Sequence, residues 1–77
     1  MPLPPFARGR GWIKRASNAV NRRLWYEPRS GYEYEICFGH GGQSWHQIDP
    51  ISRQYRDVDR VTGSPVPGKW GRWRALQ

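Results

Sequence analysis

Aromatic residues must build most of the core of this chain, because it has few aliphatic side chains to bury. Only 36% of its 77 residues are hydrophobic, and they include five Trp, four Tyr and two Phe. A large aromatic side chain can bury roughly 150–250 Å², so a few of them can anchor a small core. A chain of this length is one domain that buries only about 60% of its unfolded surface. The sequence therefore predicts a single small domain with an aromatic core.

Positive charge is concentrated at the two ends of the chain. Residues 1–25 contain six Lys and Arg and no acid, and residues 69–77 contain three and no acid, although the net charge is only +7. Residues 26–68 contain four Arg against six acids. Basic ends on a balanced body are typical of contact with polyanions. Arg outnumbers Lys eleven to two, which favours bidentate phosphate contacts, although a GC-rich genome would give the same bias.

The cysteine content and the hydropathy pattern limit the class of protein. A single cysteine, Cys37, forms no internal disulfide, which argues against a disulfide-stapled secreted scaffold. No apolar run approaches the roughly 18 residues of a membrane span, and residues 1–6 lack the apolar stretch of a signal peptide. We therefore expect a soluble protein without a cofactor, either intracellular or associated with a virion.

The N-terminal third predicts an extended arm followed by a helix. Three prolines and two glycines favour extended backbone over residues 1–11. Residues 12–25 place apolar side chains at helical spacing, with basic side chains on the opposite side. Pro28 disfavours helix at the residue before it and ends the segment. The apolar stripe consists of Ile13, Ala16, Val20 and Leu24.

Alternating polarity predicts β-structure in the rest of the chain. Residues 31–38 alternate apolar and polar side chains, which is typical of a half-buried strand. A glycine-rich turn then predicts a hairpin to a second strand over residues 43–48. A reverse turn at residues 59–63 favours antiparallel strands over about 54–59 and 64–67.

These elements predict an α+β fold. One N-terminal basic amphipathic helix packs on a small antiparallel sheet of three or four strands, with extended basic arms at both ends. We expect one domain over residues 12–68, between an arm over residues 1–11 and a Trp-rich tail over residues 69–77. Residues 50–58 fit a helix or a strand equally well by periodicity.

The arm, the basic side of the helix and the tail are the predicted binding segments. Basic side chains can contact phosphates while a Trp stacks on an unpaired base, a contact worth about 1–3 kcal/mol. The alternative is that the two Trp of the tail pack on the core. A basic helix could also lie on an anionic membrane, but its apolar stripe is small. The predicted binding residues are Arg8, Arg10, Lys14, Arg15, Arg22, Lys69, Trp70, Arg72, Trp73 and Arg74.

Three neighbouring residues suggest metal binding or catalysis. Cys37, His40 and His46 are potential metal ligands, but a structural zinc site normally has four ligands and Cys37 has no partner Cys. The sequence therefore predicts no metal site. The two His with Glu33 or Glu35 could instead form an acid–base pair for RNA cleavage, most plausibly His40, His46 and Glu35.

Three short segments resemble parts of the cytotoxic ribonuclease domains of the colicin type. The segments are Tyr32-Glu33-Tyr34, His40-Gly41 and Asp59-Arg60-Val61-Thr62-Gly63, and they span less than half of the chain. The resemblance implies a ribonuclease. The catalytic Asp-x-x-His-x-x-x-Glu spacing of that family is missing, because residues 37, 40 and 44 are Cys, His and Ser. The chain is therefore not assigned to the family.

The sequence as a whole favours a binding protein over an enzyme. We expect a non-catalytic binding or structural component of a larger assembly, such as a nucleoprotein particle or a virion, that contacts nucleic acid or an acidic protein surface. One alternative is a small basic, toxin-like ribonuclease. Another is a small phage-type inhibitor that binds one host protein.

Overall fold

The protein is mostly β-structure in the computed structural model, which describes residues 3–39 and 42–76. Six strands form one antiparallel sheet in which each strand pairs with the next along the chain. The strands are β1 (Ile13–Arg15), β2 (Arg22–Tyr26), β3 (Glu33–Gly39), β4 (Gly42–Asp49), β5 (Gln54–Val58) and β6 (Arg74–Ala75). Two single-turn 3₁₀ helices, η1 (Pro5–Ala7) and η2 (Lys69–Gly71), precede β1 and β6. No helix among the described residues is long and apolar enough to cross a membrane.

The predicted α+β fold with an N-terminal helix over residues 12–25 is wrong. That segment folds as the β1–β2 hairpin, and β2 continues the sheet by pairing with β3. β2 buries Trp25, which is 6% exposed, whereas Val20 from the supposed helix stripe lies in the loop between β1 and β2 and is 97% exposed. The sheet therefore buries a large aromatic ring that is no part of that stripe, and this burial outweighs a weak apolar periodicity.

The predicted sheet had too few strands, and the two ends of the chain were wrongly predicted to be extended arms. The sheet has six strands in place of three or four. The ends were expected to be extended arms, but among the described residues both pack on the sheet. Phe6 and the buried Ala7 lie against the core, and Ala75 in β6 pairs with Gln54 in β5. The N-terminal end thus adds apolar groups to a core that has few aliphatic residues, and the C-terminal end adds a strand to the sheet.

The prediction was better in the middle of the chain. The strands expected over residues 31–38 and 43–48 are confirmed as β3 and β4. Residues 50–58 form a turn followed by β5, which resolves the choice between helix and strand. The strand expected over residues 64–67 is reduced to a single bridge at Pro65, because a proline has no N–H to donate to a ladder.

Two aspartates hold the turns at the two ends of β5. Asp49 and Asp59 each accept two backbone N–H bonds within the turn, at 2.7–3.3 Å. These bonds, chiefly those from Ser52 and Thr62, favour the carboxylate form and lower the pKa of both side chains. Gly63, with φ of 76°, completes the second turn in the left-handed region that glycine adopts without strain.

One side of the sheet, which we call the aromatic face, carries the expected aromatic core. Its buried residues are Trp25, Tyr34, Ile36, Trp45 and Val58. The segment before β1 covers this face. Trp12 stacks on Tyr34 with ring centroids 4.7 Å apart, and Phe6 meets Trp12 edge to face at 5.3 Å.

A buried carboxylate fixes that covering segment to the sheet. Glu27 accepts hydrogen bonds from the Trp12 indole N–H at 2.9 Å and from the Ser30 hydroxyl at 2.6 Å. The Arg10 guanidinium completes the arrangement with an ion pair of 2.8 Å. Because a buried carboxylate is costly without such partners, these contacts define how the N-terminal segment lies on the aromatic face.

Candidate functional site

The opposite side of the sheet, which we call the polar face, carries a row of ionisable side chains. In the strand register Glu35 lies opposite His46, and His46 lies opposite Asp57. Side chains of directly opposed residues point to the same side of an antiparallel sheet. The three residues therefore form a line across β3, β4 and β5, which we call the ionic row.

The ionic row alternates acidic and basic groups at short distances. The two ring nitrogens of His46 each face a carboxylate: Nδ1 lies 3.4 Å from Glu35 Oε1, and Nε2 lies 3.4 Å from Asp57 Oδ1. Arg74 donates to Asp57 at 2.7 Å, and the Arg22 guanidinium lies 3.8 Å from the other oxygen of Glu35. The imidazole is thus held on both sides and has a defined orientation.

The thiol of Cys37 completes this cluster next to Glu35 on β3. Its Sγ lies 3.4 Å from Glu35 Oε1 and 3.6 Å from His46 Nδ1. Burial, followed by the neighbouring Glu35 charge, raises the pKa of Cys37 to about 11. The hydrogen bond with His46 lowers the pKa of Glu35, although burial opposes the shift. At neutral pH the cluster therefore contains a carboxylate and a protonated thiol, which is a poor nucleophile.

The ionic row borders a groove that is open to solvent. Its volume is about 370 Å³, within the range of small-ligand sites. Its lining combines ionisable, aromatic and aliphatic side chains: Arg22, Glu35, His46, Ile48, Tyr55 and Leu76. Arg74 lies beside it with its guanidinium between two rings, 4.5 Å from the Tyr55 centroid and 4.9 Å from that of Trp70.

Part of the predicted catalytic group is brought together here. Glu35 and His46 are neighbours, as the acid–base hypothesis requires, whereas His40 lies outside the described residues. Sequence reasoning missed Asp57 as a partner of His46. The sequence shows only that Asp57 is a polar residue in the alternating pattern of β5. Its pairing with His46 can be inferred only when the register between β4 and β5 is known.

The predicted basic residues of the N-terminal third lie in two different settings. Arg10 is engaged with Glu27, as described above, and its charge is largely compensated. Lys14 and Arg15 lie in β1, exposed, with their cationic groups 4.8 Å from the ring centroids of Trp25 and Tyr26. Arg8 is also exposed, just after η1.

The predicted binding residues of the tail also lie in two settings, one packed within the protein and one exposed to solvent. Trp73 packs against Tyr32, with centroids 6.0 Å apart, and beneath Arg56, whose guanidinium carbon lies 4.1 Å from the ring centroid. Trp70 is 55% exposed, and Lys69 lies 5.2 Å from its ring. Arg72 is exposed as well. One Trp of the tail thus packs within the protein, and the other presents a ring to solvent.

The β1–β2 hairpin forms a second candidate surface, which we call the basic ribbon. It comprises β1, β2 and the loop over residues 16–21, and it contains no acidic residue. Its four cations are all exposed. The register places two on the side of the aromatic face and two on the side of the polar face. They are Lys14 and Arg23 on the first side, and Arg15 and Arg22 on the second.

No protein-family model, curated protein or solved structure matches this chain. The basic ribbon and the ionic row are the two surfaces of the protein whose geometry points to a function.

Proposed function

We propose that this protein is a non-catalytic nucleic-acid-binding component of a larger assembly, such as a nucleoprotein particle or a virion. The basic ribbon is the proposed contact with the phosphate backbone. The observation that carries the proposal is a two-stranded edge hairpin with four exposed cations and no acid. A surface that only keeps a protein in solution normally mixes both signs of charge.

The shape of the ribbon supports this assignment. The hairpin forms one edge of the sheet, because β1 pairs only with β2 among the described strands. Successive side chains of a strand point to opposite sides, so this edge can present cations to phosphates on both sides of the sheet. Lys14 and Arg15 lie against aromatic rings, which restricts their motion before binding and lowers the entropy lost in the complex.

The other predicted cations support binding to different degrees. Arg10 and Arg74 are held in ion pairs with Glu27 and Asp57, so we expect them to contribute mainly to stability. Trp70 is exposed and lies beside Lys69, which is an arrangement that can stack on an unpaired base. We therefore expect the ribbon to supply most of the affinity and Trp70 to favour single-stranded ligands.

The salt dependence of binding tests the proposal. Fluorescence anisotropy would follow binding of the full chain to labelled duplex DNA, duplex RNA and single-stranded RNA over a range of salt concentrations. For a duplex, log K should fall with log salt with a slope of about −0.9 for each phosphate contacted. A flat dependence, or no binding at low salt, overturns the proposal and directs the search to an acidic protein surface.

A charge-matched pair of variants locates the surface. The ribbon variant replaces Lys14, Arg15 and Arg23 by Gln, and the control replaces the exposed Arg29, Arg53 and Arg60 by Gln. Both lose the same charge. We expect the ribbon variant to lower the salt slope by about 0.9 per contact removed, and the control to change it little. Equal losses in both would show that net charge, not the ribbon, causes binding.

RNA cleavage is the second candidate, because Glu35 and His46 lie 3.4 Å apart beside an open groove. A carboxylate and an imidazole at this spacing are the groups that general acid–base cleavage of RNA uses. If the protein is a ribonuclease, it degrades RNA and His46→Ala abolishes the activity. Ser44→Ala is the control, because Ser44 lies two residues before His46 on the same face of β4, and this variant should retain the activity. Intact RNA after incubation with the purified protein contradicts this candidate.

A further inference from the structure

Three different ligand atoms converge at one point of the polar face. Glu35 Oε1 lies 3.4 Å from Cys37 Sγ and 3.4 Å from His46 Nδ1, and the last two atoms are 3.6 Å apart. They form a nearly equilateral triangle. Two come from one face of β3, and the third comes from the facing strand, so the sheet register itself holds them together.

The size of the triangle matches a tetrahedral metal site. Zinc binds nitrogen and oxygen at about 2.0–2.2 Å and thiolate sulfur at about 2.3 Å, which places neighbouring ligands of a tetrahedron about 3.3–3.7 Å apart. The three separations in the protein fall in this interval. We infer that Glu35, Cys37 and His46 bind one zinc-type transition-metal ion. Counting potential ligands along the chain missed the site, because Glu35 joins the two other residues only through the fold.

The surroundings of the triangle support the inference independently. A histidine that binds a metal through one nitrogen commonly donates its other N–H to a carboxylate, which fixes the tautomer. His46 Nε2 lies 3.4 Å from Asp57 Oδ1, and Asp57 is itself held by Arg74 at 2.7 Å. Asp57 is therefore placed on the Nε2 side of His46, where it could accept the N–H when Nδ1 binds a metal.

The position of the groove indicates a metal site with an open coordination position. Glu35 and His46 both line it, so a metal held by the triangle has its fourth position towards solvent. Three protein ligands and one open position are typical of zinc sites that bind water or a small anionic ligand, whereas structural sites use four protein ligands. Metal binding would displace the Cys37 proton to solvent, and the resulting thiolate and the imidazole favour zinc, cobalt or copper over magnesium and calcium, which prefer oxygen ligands alone.

Cobalt(II) provides a direct probe, because it replaces zinc and reports thiolate ligation by a near-ultraviolet charge-transfer absorption. The full chain, stripped with a chelator, would be titrated with Co²⁺ and then with Zn²⁺. We expect the absorption to saturate at one Co²⁺ per chain and to disappear when Zn²⁺ displaces it. Absence of the band, or saturation at a different stoichiometry, overturns the inference.

Variants separate the triangle from a single reactive thiol. Cys37→Ser should remove the band, and Glu35→Gln and His46→Gln should each weaken Co²⁺ binding more than 10-fold. Asp57→Asn should weaken it by about 10–100-fold through the orientation of His46. Ser44→Ala, which lies opposite Cys37 and adds no ligand, is the matched control and should bind as the parent does. If Glu35→Gln and His46→Gln bind as well as the parent, Cys37 acts alone and the site is refuted.

A folding control and a binding control complete the test. Circular dichroism of each variant shows whether the sheet is intact, and a Zn²⁺-dependent rise in Tm of the parent reports binding without any substitution. The inference is independent of nucleic-acid binding. Cys37→Ser and His46→Gln keep the four ribbon cations and the Glu35 partner of Arg22, so these two variants should retain the parent's salt slope even if they lose the metal.

Discussion

Adjacent residues of β4 point to opposite sides of the sheet and meet different surroundings. Trp45 is 5% exposed and packs among the rings of Trp25, Trp12 and Phe6. His46, the next residue, lies between two carboxylates at the edge of an open groove. The aromatic face is closed by the N-terminal segment, whereas the polar face has no comparable cover among the described residues.

This difference separates stability from function within single strands. The aromatic face gains free energy from the burial of large rings, which is non-directional and scales with area. The polar face has ion pairs, and the desolvation of their charges offsets much of the attraction between them. Because side chains alternate with a period of two, one residue of a strand can stabilise the core while the next residue lies at the candidate site.

Substitutions at the two neighbouring positions should differ most. Trp45→Ala removes a buried ring from the middle of the aromatic face and should cost about 3–5 kcal/mol of unfolding free energy. His46→Ala should cost less, about 1–2 kcal/mol, since Glu35 and Asp57 keep Arg22 and Arg74 as partners. Urea unfolding monitored by circular dichroism, in the presence of a chelator, measures both. A similar cost at both positions would mean that the ionic row also holds the fold together.

Glu27 tests how the cover is attached to the aromatic face. Glu27→Gln leaves Arg10 and the Trp12 N–H without a charged acceptor, and we expect a loss of about 2–3 kcal/mol, reduced from that of a fully buried pair because Arg10 is partly exposed. Glu33→Gln, on the polar face, is the control and should change stability little. Urea unfolding gives the loss, and limited proteolysis should cut the variant earlier near residues 8–11. Equal behaviour of the two variants would show that ring packing alone holds the cover.

The sequence predicted those strands whose two faces differ clearly in polarity. β3 alternates Tyr34 and Ile36 with Glu35 and Cys37, and this pattern has one solution, a strand with one buried face. The N-terminal segment had no such pattern. Its apolar residues satisfied helical spacing, but the rings that hold it, Trp12 and Trp25, lie outside the stripe and find their partners far away in the chain.

The site was predictable only as a set of residue types. Glu35 and His46 were selected together because a carboxylate and an imidazole suit acid–base chemistry, and the hairpin register does place them together. Asp57 and Cys37 join them through pairings of three strands. A shift of one residue in any register would turn a side chain to the other face, so local sequence alone does not determine the row.

Gly63 links an exposed turn to the cover of the aromatic face. A Cβ at this position would lie 2.6 Å from the Phe6 ring, and φ is 76°. Gly63→Ala should therefore combine backbone strain with displacement of Phe6, at about 2 kcal/mol in total. Gly31→Ala has a similar φ of 80° and nothing within 4 Å, so it measures the backbone cost alone, about 1 kcal/mol. Equal losses of unfolding free energy for Gly63→Ala and Gly31→Ala, measured by urea unfolding, would show that the Phe6 ring does not contact Gly63.

Acid should weaken the turn that follows β5. Hydrogen bonds from the turn, that of Thr62 first, lower the pKa of Asp59 in the folded protein below its ordinary value of 3.8. The carboxylate therefore stabilises the fold above that value, and the stabilisation is lost as the pH falls through the lower, folded-state pKa. The Tm difference between the parent and Asp59→Asn should be constant near neutral pH and shrink below 3.8. Ser64→Ala, a non-titrating neighbour in the same turn, should show the same difference at both pH values. A difference for Asp59→Asn that persists in strong acid would show that the turn is held by its backbone conformation and not by the charge of Asp59.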